Sequence, residues 1–337
     1  MHLRATCRTS SGEWEDVADL SALAALRRAQ GTLVWAEADV SGASADDVHE
    51  VAAEFGLDAL ALEDALNARQ RPKLEHYQRH AFLVLFQLDE VDAQLEPRQL
   101  GCFLSDRFVL VLHHGATRLI EEFERRLDKV RAETDGTDRL VHLLVDTAVD
   151  DYEAIASGLG EEVEDLEGEA LAVARIHEQD DEDDPRHEMP SQYRLYTLKQ
   201  NVSMLRRYAL PAGRALDQLV SSDEEWMVGP ETQALFRDVH DHTMRIEAQV
   251  HSVEELASGV LDLTRSLQAD MLNEINKKLT GWAAIVAAPA LLAGLYGINY
   301  TLLPEPSIGA WGFVFVVGTM VAASLSLYLL FRRKGWI

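Results

Sequence analysis

Residues 277–299 read KKLTGWAAIVAAPALLAGLYGIN, and this stretch decides the architecture of the chain. After its two lysines, residues 281–298 carry no charged side chain, and a second apolar run occupies residues 309–331. The hydrocarbon core of a membrane is roughly 30 Å thick and needs about 20 apolar residues in helical form. The two runs therefore predict a helical hairpin through a membrane, with spans at 281–298 and 309–331 joined by a loop at 299–308.

The charges that flank the predicted hairpin indicate its orientation. Lys277 and Lys278 precede the first span, and a basic tail at 332–337 follows the second. The loop between the spans carries no Lys or Arg and one acid, Glu305. Because basic residues are retained on the cytoplasmic side, both termini are expected in the cytoplasm and the loop outside. The first thirty residues lack the basic start and apolar core of a signal peptide, so we expect a multi-pass protein of the cytoplasmic membrane.

Composition limits the classes of function. The chain has 337 residues and a formal net charge of −26, which would repel nucleic acid phosphates, so no nucleic acid partner is expected. Its two cysteines, Cys7 and Cys102, are far apart and lack metal-site spacing, which is typical of a reducing compartment. The acidic balance serves either solubility, the commoner explanation, or a surface that concentrates cations.

The part before the hairpin has α/β patterning followed by helical patterning. The predicted helices are 46–55 and 60–66, and the predicted strands are 81–88, 100–104 and 107–113, with a tight turn at Ser105–Asp106. Helical periodicity follows at 140–155 and at 193–220, the latter interrupted by Pro211. His113 and His114 end the last strand, but adjacent strand residues point to opposite faces, so a shared metal is not expected.

Acids are dense at 161–169 and 179–184. The simpler interpretation is a solvated helical face that ends in a flexible acidic turn. The alternative is a cloud of carboxylates that collects divalent ions near a pore mouth. The acids lack a fixed ligand spacing, which favours the simpler interpretation without excluding the other.

The last element before the membrane is a long helix that opens near Pro230, with the proline at a first-turn position where it is tolerated. Apolar or small residues recur along it at steps of three and four, as in a coiled-coil seam: Leu235, Val239, His242, Ile246, Val250, Val253, Ala257, Val260, Leu263 or Thr264, Leu267 and Met271. Nothing breaks the helix before the first span, so it is expected to run for about 65 residues, roughly 100 Å. A helix of that length is rarely stable alone, and an oligomer is therefore expected.

These patterns predict a division of the chain into six parts. They are a cytoplasmic α/β domain with an acidic helical insertion at 1–229, a stalk helix at 230–280, the spans at 281–298 and 309–331, the external loop at 299–308 and the tail at 332–337. The fold class is α+β, an α/β/α sandwich followed by a stalk helix continuous with the first span.

One face of the first span continues the period of the stalk. It reads Asn273, Asn276, Leu279, Ala283, Ala287, Ala290 and Gly294. Small residues on a membrane helix usually indicate close helix packing. The competing interpretation is an ion path around a symmetry axis, with asparagine rings at the inner end and Leu279 as an apolar constriction. Asn299 and Glu305 at the outer end favour the ion path, because their oxygens would form rings at the mouth.

Several motifs resemble those of one family. Residues 296–299 (YGIN), followed by Pro304-Glu305, are similar to the Gly-Met-Asn signature of the CorA-type metal ion transporters, which is usually followed by Met-Pro-Glu-Leu. Further segments extend the resemblance from about Trp35 to the C-terminus: 62–66 (LEDAL), 70–75 (QRPKLE), 237–242 (RDVHDH), 273–274 (NE), 278–280 (KLT) and 334–336 (KGW).

The resemblance implies a homopentamer in which long helices form a funnel and the first spans line the pore. Asn299, within Gly297-Ile298-Asn299, would belong to the outer ring that holds a hydrated cation, and Glu305 would attract cations. Leu279 would be the hydrophobic gate.

The resemblance also implies a regulatory site between subunits. Glu63 and Asp64 of one subunit, with Asp238 of the next, match positions that bind regulatory divalent ions. His242 lies four residues after Asp238 on the same helix face and is a second candidate ligand, although such pairs are often only solvated. Loss of the ions would let like charges repel and open the gate.

Four positions depart from the family pattern. Ile298 replaces the usual Met, Asn276 replaces an apolar residue, Pro306 replaces Leu, and Thr301 lacks an acid found in many members. Variants without Met include the zinc-transporting branch of the family. These departures weaken the magnesium assignment but leave the cation assignment.

The favoured function is a passive channel for Mg²⁺, with Co²⁺ or Ni²⁺ as further ions. The alternative is a zinc transporter of the same fold, with or without proton coupling, although neither span contains an acid. A membrane-anchored enzyme is disfavoured, since no Gly-x-Ser-x-Gly, His-Glu-x-x-His or phosphate-binding loop is present. We expect lipid, divalent ions and further copies of the chain as partners, and no resident cofactor.

Overall fold

The computed structural model describes residues 2–17, 22–23, 26, 31–67, 70–178, 192–222, 226–297 and 310–336. The chain divides into two compact units, Met1–Val260 and Leu261–Ile337. The finer domain boundaries given above remain predictions.

The first unit contains a seven-stranded sheet. Its strands are β1 His2–Arg8, β2 Trp14–Val17, β3 Leu33–Asp39, β4 Lys73–His76, β5 Ala81–Val91, β6 Gln94–Leu104 and β7 Phe108–His113. The order across the sheet is β2-β1-β3-β7-β6-β5-β4. Only the pair β3 and β7 is parallel, so the described sheet is mixed.

Seven helices have described bounds. They are α1 Ala45–Phe55, α2 Ala59–Leu66, α3 Arg118–Val130, α4 Thr137–Glu178, α5 Gln192–Val220, α6 Gln233–Gly297 and α7 Ala310–Arg333. The predicted helices at 46–55 and 60–66 and the predicted continuity of the long helix are confirmed. Helix α6 contributes residues to both units.

Helices cover both faces of the sheet. On one face Phe55 of α1 contacts Phe108 with ring centroids 5.0 Å apart. On the other face Phe123 of α3 contacts Trp35 at 4.1 Å. Register shows that these are opposite faces, because Trp35 is paired with Val109, the neighbour of Phe108. The predicted α/β/α sandwich is confirmed.

Tight turns close two of the hairpins of the sheet. Between β5 and β6, Asp92 and Ala93 both adopt positive φ angles of 51° and 64°, as in a two-residue turn that matches strand twist. Between β6 and β7, the Ser105 hydroxyl accepts from the backbone N–H of Arg107 and Phe108 at 3.2 Å. The turn predicted at Ser105–Asp106 is confirmed.

Two predictions about proline were wrong. Pro211 does not interrupt its helix, since α5 continues from Gln192 to Val220 through it. A proline removes one backbone hydrogen bond, but packing of the rest of α5 retains the helix. Pro230 lies before α6 and not in its first turn, because the helix begins at Gln233.

The first half of the predicted seam on α6 is buried within one chain. Val239, Ile246, Val250, Val253, Ala257 and Val260 are buried. At the start Phe236 is buried in place of Leu235, which is 39% exposed.

The partners of this seam belong to the same chain. Gly160 of α4 lies against Val253. From α5, Arg206 pairs with Glu254 of α6 at 2.8 Å. Up to Val260, the seam therefore does not require a second chain. The inference that this part of the helix needs an oligomer for its stability was wrong.

A buried ion pair lies where the parallel strands β3 and β7 end. His113 contacts Glu37 through Nε2, and Arg4 donates from Nε to the same carboxylate. His113 also donates from Nδ1 to the carbonyl of Gly115 at 2.7 Å. Burial opposes both charges, but the pairing outweighs it, so the pKa of His113 is raised and the pKa of Glu37 is lowered. His113 therefore has a structural role.

We expect Glu37→Gln to lower the free energy of unfolding by about 3 kcal/mol, because it leaves a buried imidazolium without its carboxylate. The loss should be largest between about pH 4.3 and 6.5. Below that window, the contribution of Glu37 fades as pH falls through its lowered pKa. Above it, the contribution of His113 fades as pH rises through its raised pKa. Thermal unfolding across pH measures this. Exposed Glu15→Gln is the control, and an equal loss in both variants would contradict the prediction.

The second unit is a helical hairpin. The Ser324 hydroxyl of α7 donates to the carbonyl of Ile285 in α6 at 3.4 Å. The rings of Trp282 and Tyr328 have centroids 6.4 Å apart. Because the partner numbers fall along α7 as they rise along α6, the two helices are antiparallel, as a hairpin requires.

Candidate functional site

The predicted stripe on α6 lies on an open face of the second unit. All seven of its residues are exposed: Asn273, Asn276, Leu279, Ala283, Ala287, Ala290 and Gly294. By contrast, Gly281 is buried, and Ile285, Ala288 and Leu292 are half-buried. Ile285 is also the residue that accepts the hydrogen bond from α7.

The stripe and the α7 contact lie on different sides of α6. An α-helix turns about 100° per residue, so the centre of the stripe lies roughly 150° around the helix from the Gly281–Ile285 side. Small residues that packed against α7 would lie on that side instead. The close packing of this face against α7 is therefore excluded, which leaves lipid, further copies of the chain or an ion path as its surroundings.

Both helices of the second unit are candidate membrane spans by length and composition. Large apolar side chains are exposed along both, among them Val286 at 67%, Leu291 at 69% and Phe313 at 73%. Surfaces of this kind are expected against lipid or other helices. The predicted mouth residues Ile298, Asn299 and Glu305 lie outside the described residues, while Gly297 is the last residue of α6.

A group of possible metal ligands lies between α4 and α6 in the first unit. One ligand atom from each of Asp150, Glu153 and His242 lies within 4.8 Å of the others. His242 Nδ1 is 3.5 Å from the Glu153 carboxylate, and His242 Nε2 is 3.7 Å from that of Asp238. Carboxylate and imidazole groups at such spacing can hold a divalent ion.

An arginine and a further acid adjoin this group. Arg126 contacts Asp150 at 2.8 Å and Asp146 at 3.2 Å. Burial raises the pKa of Asp146, and the neighbouring Asp150 raises it further. Burial likewise lowers the pKa of His142. Negative charge is thus concentrated here and only partly neutralised, which favours a bound cation.

The other predicted regulatory residues lie on α2. Glu63 is exposed, and Asp64 contacts Lys73 at 2.6 Å and the Gln70 amide at 2.8 Å. In the described part of a single chain, the ion pair of Asp238 is with His242. The structure therefore joins Asp238 to His242 and leaves Glu63 and Asp64 in a separate cluster.

Sequence reasoning missed the acids of α4. Asp146, Asp150 and Glu153 recur at steps of four and three, a spacing that puts them on one helix face. That signal was present in the segment 140–155 whose helical period was recognised. His242 was predicted, but its contact with Glu153 required the packing of α4 on α6.

The fold and these surfaces define a class: a two-span membrane protein with a large α/β domain before its spans. Residues 30–333 match the family described as CorA-like Mg2+ transporter protein. The chain belongs to this family.

Individual relatives give the same result. The chain is 31% identical to the cobalt/magnesium transport protein CorA of Thermotoga maritima over 296 residues, 87% of this chain and 80% of that protein. The complete structure of the CorA magnesium transporter from Methanocaldococcus jannaschii matches with a TM-score of 0.80 at 19% identity, covering 99% of this chain and 98% of that one. The chain is also 22% identical to the zinc transport protein ZntB of Yersinia pseudotuberculosis over 235 residues, 70% of this chain and 67% of that protein.

The predicted family and fold class are therefore confirmed. Members of this family transport divalent metal cations and are not enzymes, and the chain is a divalent cation transporter.

Proposed function

We propose that the chain forms a passive channel for Mg²⁺, with Co²⁺ and Ni²⁺ as further substrates, in the cytoplasmic membrane. The observation that carries the proposal is the exposed stripe of polar and small residues on α6, turned away from α7. A membrane potential would drive each charge inward with about 2.3 kcal/mol per 100 mV. The basic flanks of the spans support an orientation with both termini in the cytoplasm.

Several copies of the stripe around one axis would form the ion path. Asn273 and Asn276 would supply polar rings at its inner end, and Leu279 a constriction that excludes water when closed. Ala283, Ala287, Ala290 and Gly294 would leave room for a hydrated ion. The family resemblance supports a pentamer and an outer mouth of Gly297, Ile298, Asn299 and Glu305.

Intracellular divalent ions would keep the channel closed. The proposed ligands are Glu63 and Asp64 of one subunit with Asp238 and His242 of the next. The contacts of His242 with Asp238 and Glu153 support a cation at this end of α6. Removal of the ion would leave the acids repelling one another and favour separation of the subunits.

A zinc transporter of the same fold is the second candidate. Ile298 in place of Met and the similarity to a zinc transport protein favour it. Proton coupling would need titratable groups other than acids within the spans, because residues 281–298 and 309–331 contain no Asp or Glu.

Two adjacent alanines test the ion path. Ala287 lies in the stripe and is exposed, whereas Ala288 is half-buried on the side of α7. In proteoliposomes, a cationic methanethiosulfonate reagent should strongly reduce Mg²⁺ flux through Ala287→Cys and leave Ala288→Cys nearly unchanged. The native Cys7 and Cys102 are buried, which keeps the background low. Equal inhibition of both variants would show that the stripe does not line the ion path.

We expect the double variant Asp64→Asn with Asp238→Asn to need several-fold more internal Mg²⁺ for half-closure, because it removes two proposed ligands. Flux at graded internal Mg²⁺ measures this. Asp241→Asn, an exposed neighbour on α6, is the control, and Asp238→Asn alone serves if the double variant does not assemble. An unchanged midpoint in both test variants would rule out the site.

A further inference from the structure

A proline interrupts the backbone hydrogen bonds of α6 within the second unit. Pro289 lies inside the helix, which continues through it to Gly297. In an α-helix the N–H of residue i donates to the carbonyl of residue i−4, and proline has no N–H. The carbonyl of Ile285 therefore lacks its donor from within the helix. In a membrane such a carbonyl is costly, because no water is present to take the place of the missing donor.

A hydroxyl of the neighbouring helix supplies this donor. Ser324 of α7 lies with its hydroxyl 3.4 Å from the carbonyl oxygen of Ile285 and donates to it. Both residues are half-buried. The distance is long for a hydroxyl hydrogen bond, so the bond is weak, but in hydrocarbon no water competes for it. Prolines are tolerated in membrane helices where a Ser or Thr side chain satisfies the freed carbonyl, and Ser324 meets that condition.

Ser324 differs in this contact from another hydroxyl of the same helix. A Ser or Thr inside a helix can donate to the carbonyl four residues earlier in its own helix. Thr319 of α7 does so, since its hydroxyl donates to the carbonyl of Phe315 at 2.8 Å. Ser324 instead reaches across to α6, and it does so at the carbonyl that Pro289 has freed. The contact therefore compensates for the proline.

The proline also influences the direction of the part of α6 that follows it. We call residues 289–297 the outer segment. The ring of Pro289 crowds the carbonyl of Ile285, and a helix relieves such crowding by opening on that side and tilting toward the other. Pro289 lies about 40° around the helix from Ile285 and thus on the side of α7. The outer segment is therefore expected to tilt away from α7, toward the face that carries Ala290 and Gly294.

We propose that Ser324 is a positioning residue for cation transport. Its hydroxyl holds the freed carbonyl of Ile285 on the α7 side, and this contact fixes the tilt of the outer segment and with it the width of the ion path at Ala290 and Gly294. Without the hydroxyl, the carbonyl would turn toward another donor, and the tilt of the outer segment would change. The proposal rests on α6 lining the ion path, which the labelling of Ala287→Cys tests separately.

A double-mutant cycle in proteoliposomes tests this role. Flux is measured for the divalent ion that the wild type carries, so the outcome does not depend on which ion that is. With Pro289 present, Ser324→Ala should lower flux about threefold or more, because a hydrogen bond between membrane helices contributes roughly that factor. Pro289→Ala restores the helical N–H, and in that background Ser324→Ala should change flux little.

Two further variants show whether the hydroxyl and its partner matter. Ser324→Thr keeps a hydroxyl and should retain most of the flux. Thr319→Ala removes a hydroxyl of α7 that donates within its own helix, and it should leave flux unchanged. The thermal unfolding midpoint of each variant in detergent gives the same cycle for stability.

Three results would overturn the proposal. They are unchanged flux in Ser324→Ala, an equal loss from Ser324→Ala with and without Pro289, and coupling of the two substitutions in stability but not in flux, which would make the contact structural alone. If Pro289→Ala does not assemble, the single variants decide the outcome. Loss of flux in Ser324→Ala with retention in Ser324→Thr and Thr319→Ala supports the role, and any other pattern rejects it.

Discussion

Asn299→Ala is expected to reduce Mg²⁺ uptake to the level of membranes without the protein. In the proposed mouth, amide oxygens of Asn299 accept hydrogen bonds from the hydration shell of the ion. Each such hydrogen bond is worth about 0.5–1.5 kcal/mol, and a ring of subunits loses several at once. Flux of radioactive or fluorescently reported Mg²⁺ into proteoliposomes measures the effect.

The controls distinguish loss of the ion-binding oxygens at the mouth from loss of the oligomer. Asn67→Ala removes an amide at the end of α2, far along the chain from the spans, and should leave flux unchanged. Asn299→Ser keeps an oxygen and should restore part of the flux. Size-exclusion chromatography must show an intact oligomer. Near-normal flux through Asn299→Ala would then show that Asn299 does not contribute to the mouth.

Leu279→Asp is expected to give a channel that leaks at internal Mg²⁺ concentrations that close the wild type. An apolar ring closes a pore by excluding water, and a ring of carboxylates stays hydrated and attracts cations. Leu279 suits that role because it is 66% exposed on the stripe face of α6. Leu279→Met keeps an apolar ring of similar size and should still close. A folded Leu279→Asp channel that closes normally would place the constriction elsewhere.

The sequence was sufficient where its patterns were long or strongly alternating. Residues 81–88 and 107–113 are apolar enough to be recognised as strands, and the uninterrupted helical segment before the first span predicted α6. Four strands were missed, β1, β2, β3 and β4. Of these, β2 (Trp14–Val17) and β4 (Lys73–His76) are four residues each, and half or more of those residues are polar, so their pairing partners, rather than their own composition, fix them as strands.

Periodicity also indicated burial without indicating the partner. The seam of α6 is buried as predicted, yet α4 and α5 of the same chain cover it up to Val260. Likewise, the stripe could be placed on one helix face from its spacing. That this face points away from α7 required the contacts of Ile285 and Trp282.

The measurement that tests the central claim most directly is ion flux into liposomes that contain the purified protein. Mg²⁺ and Zn²⁺ are compared at fixed membrane potential, with and without a pH gradient. A passive Mg²⁺ channel predicts Mg²⁺ flux that follows the potential and ignores the pH gradient. Zn²⁺ flux that rises with the proton gradient, without Mg²⁺ flux, would contradict it.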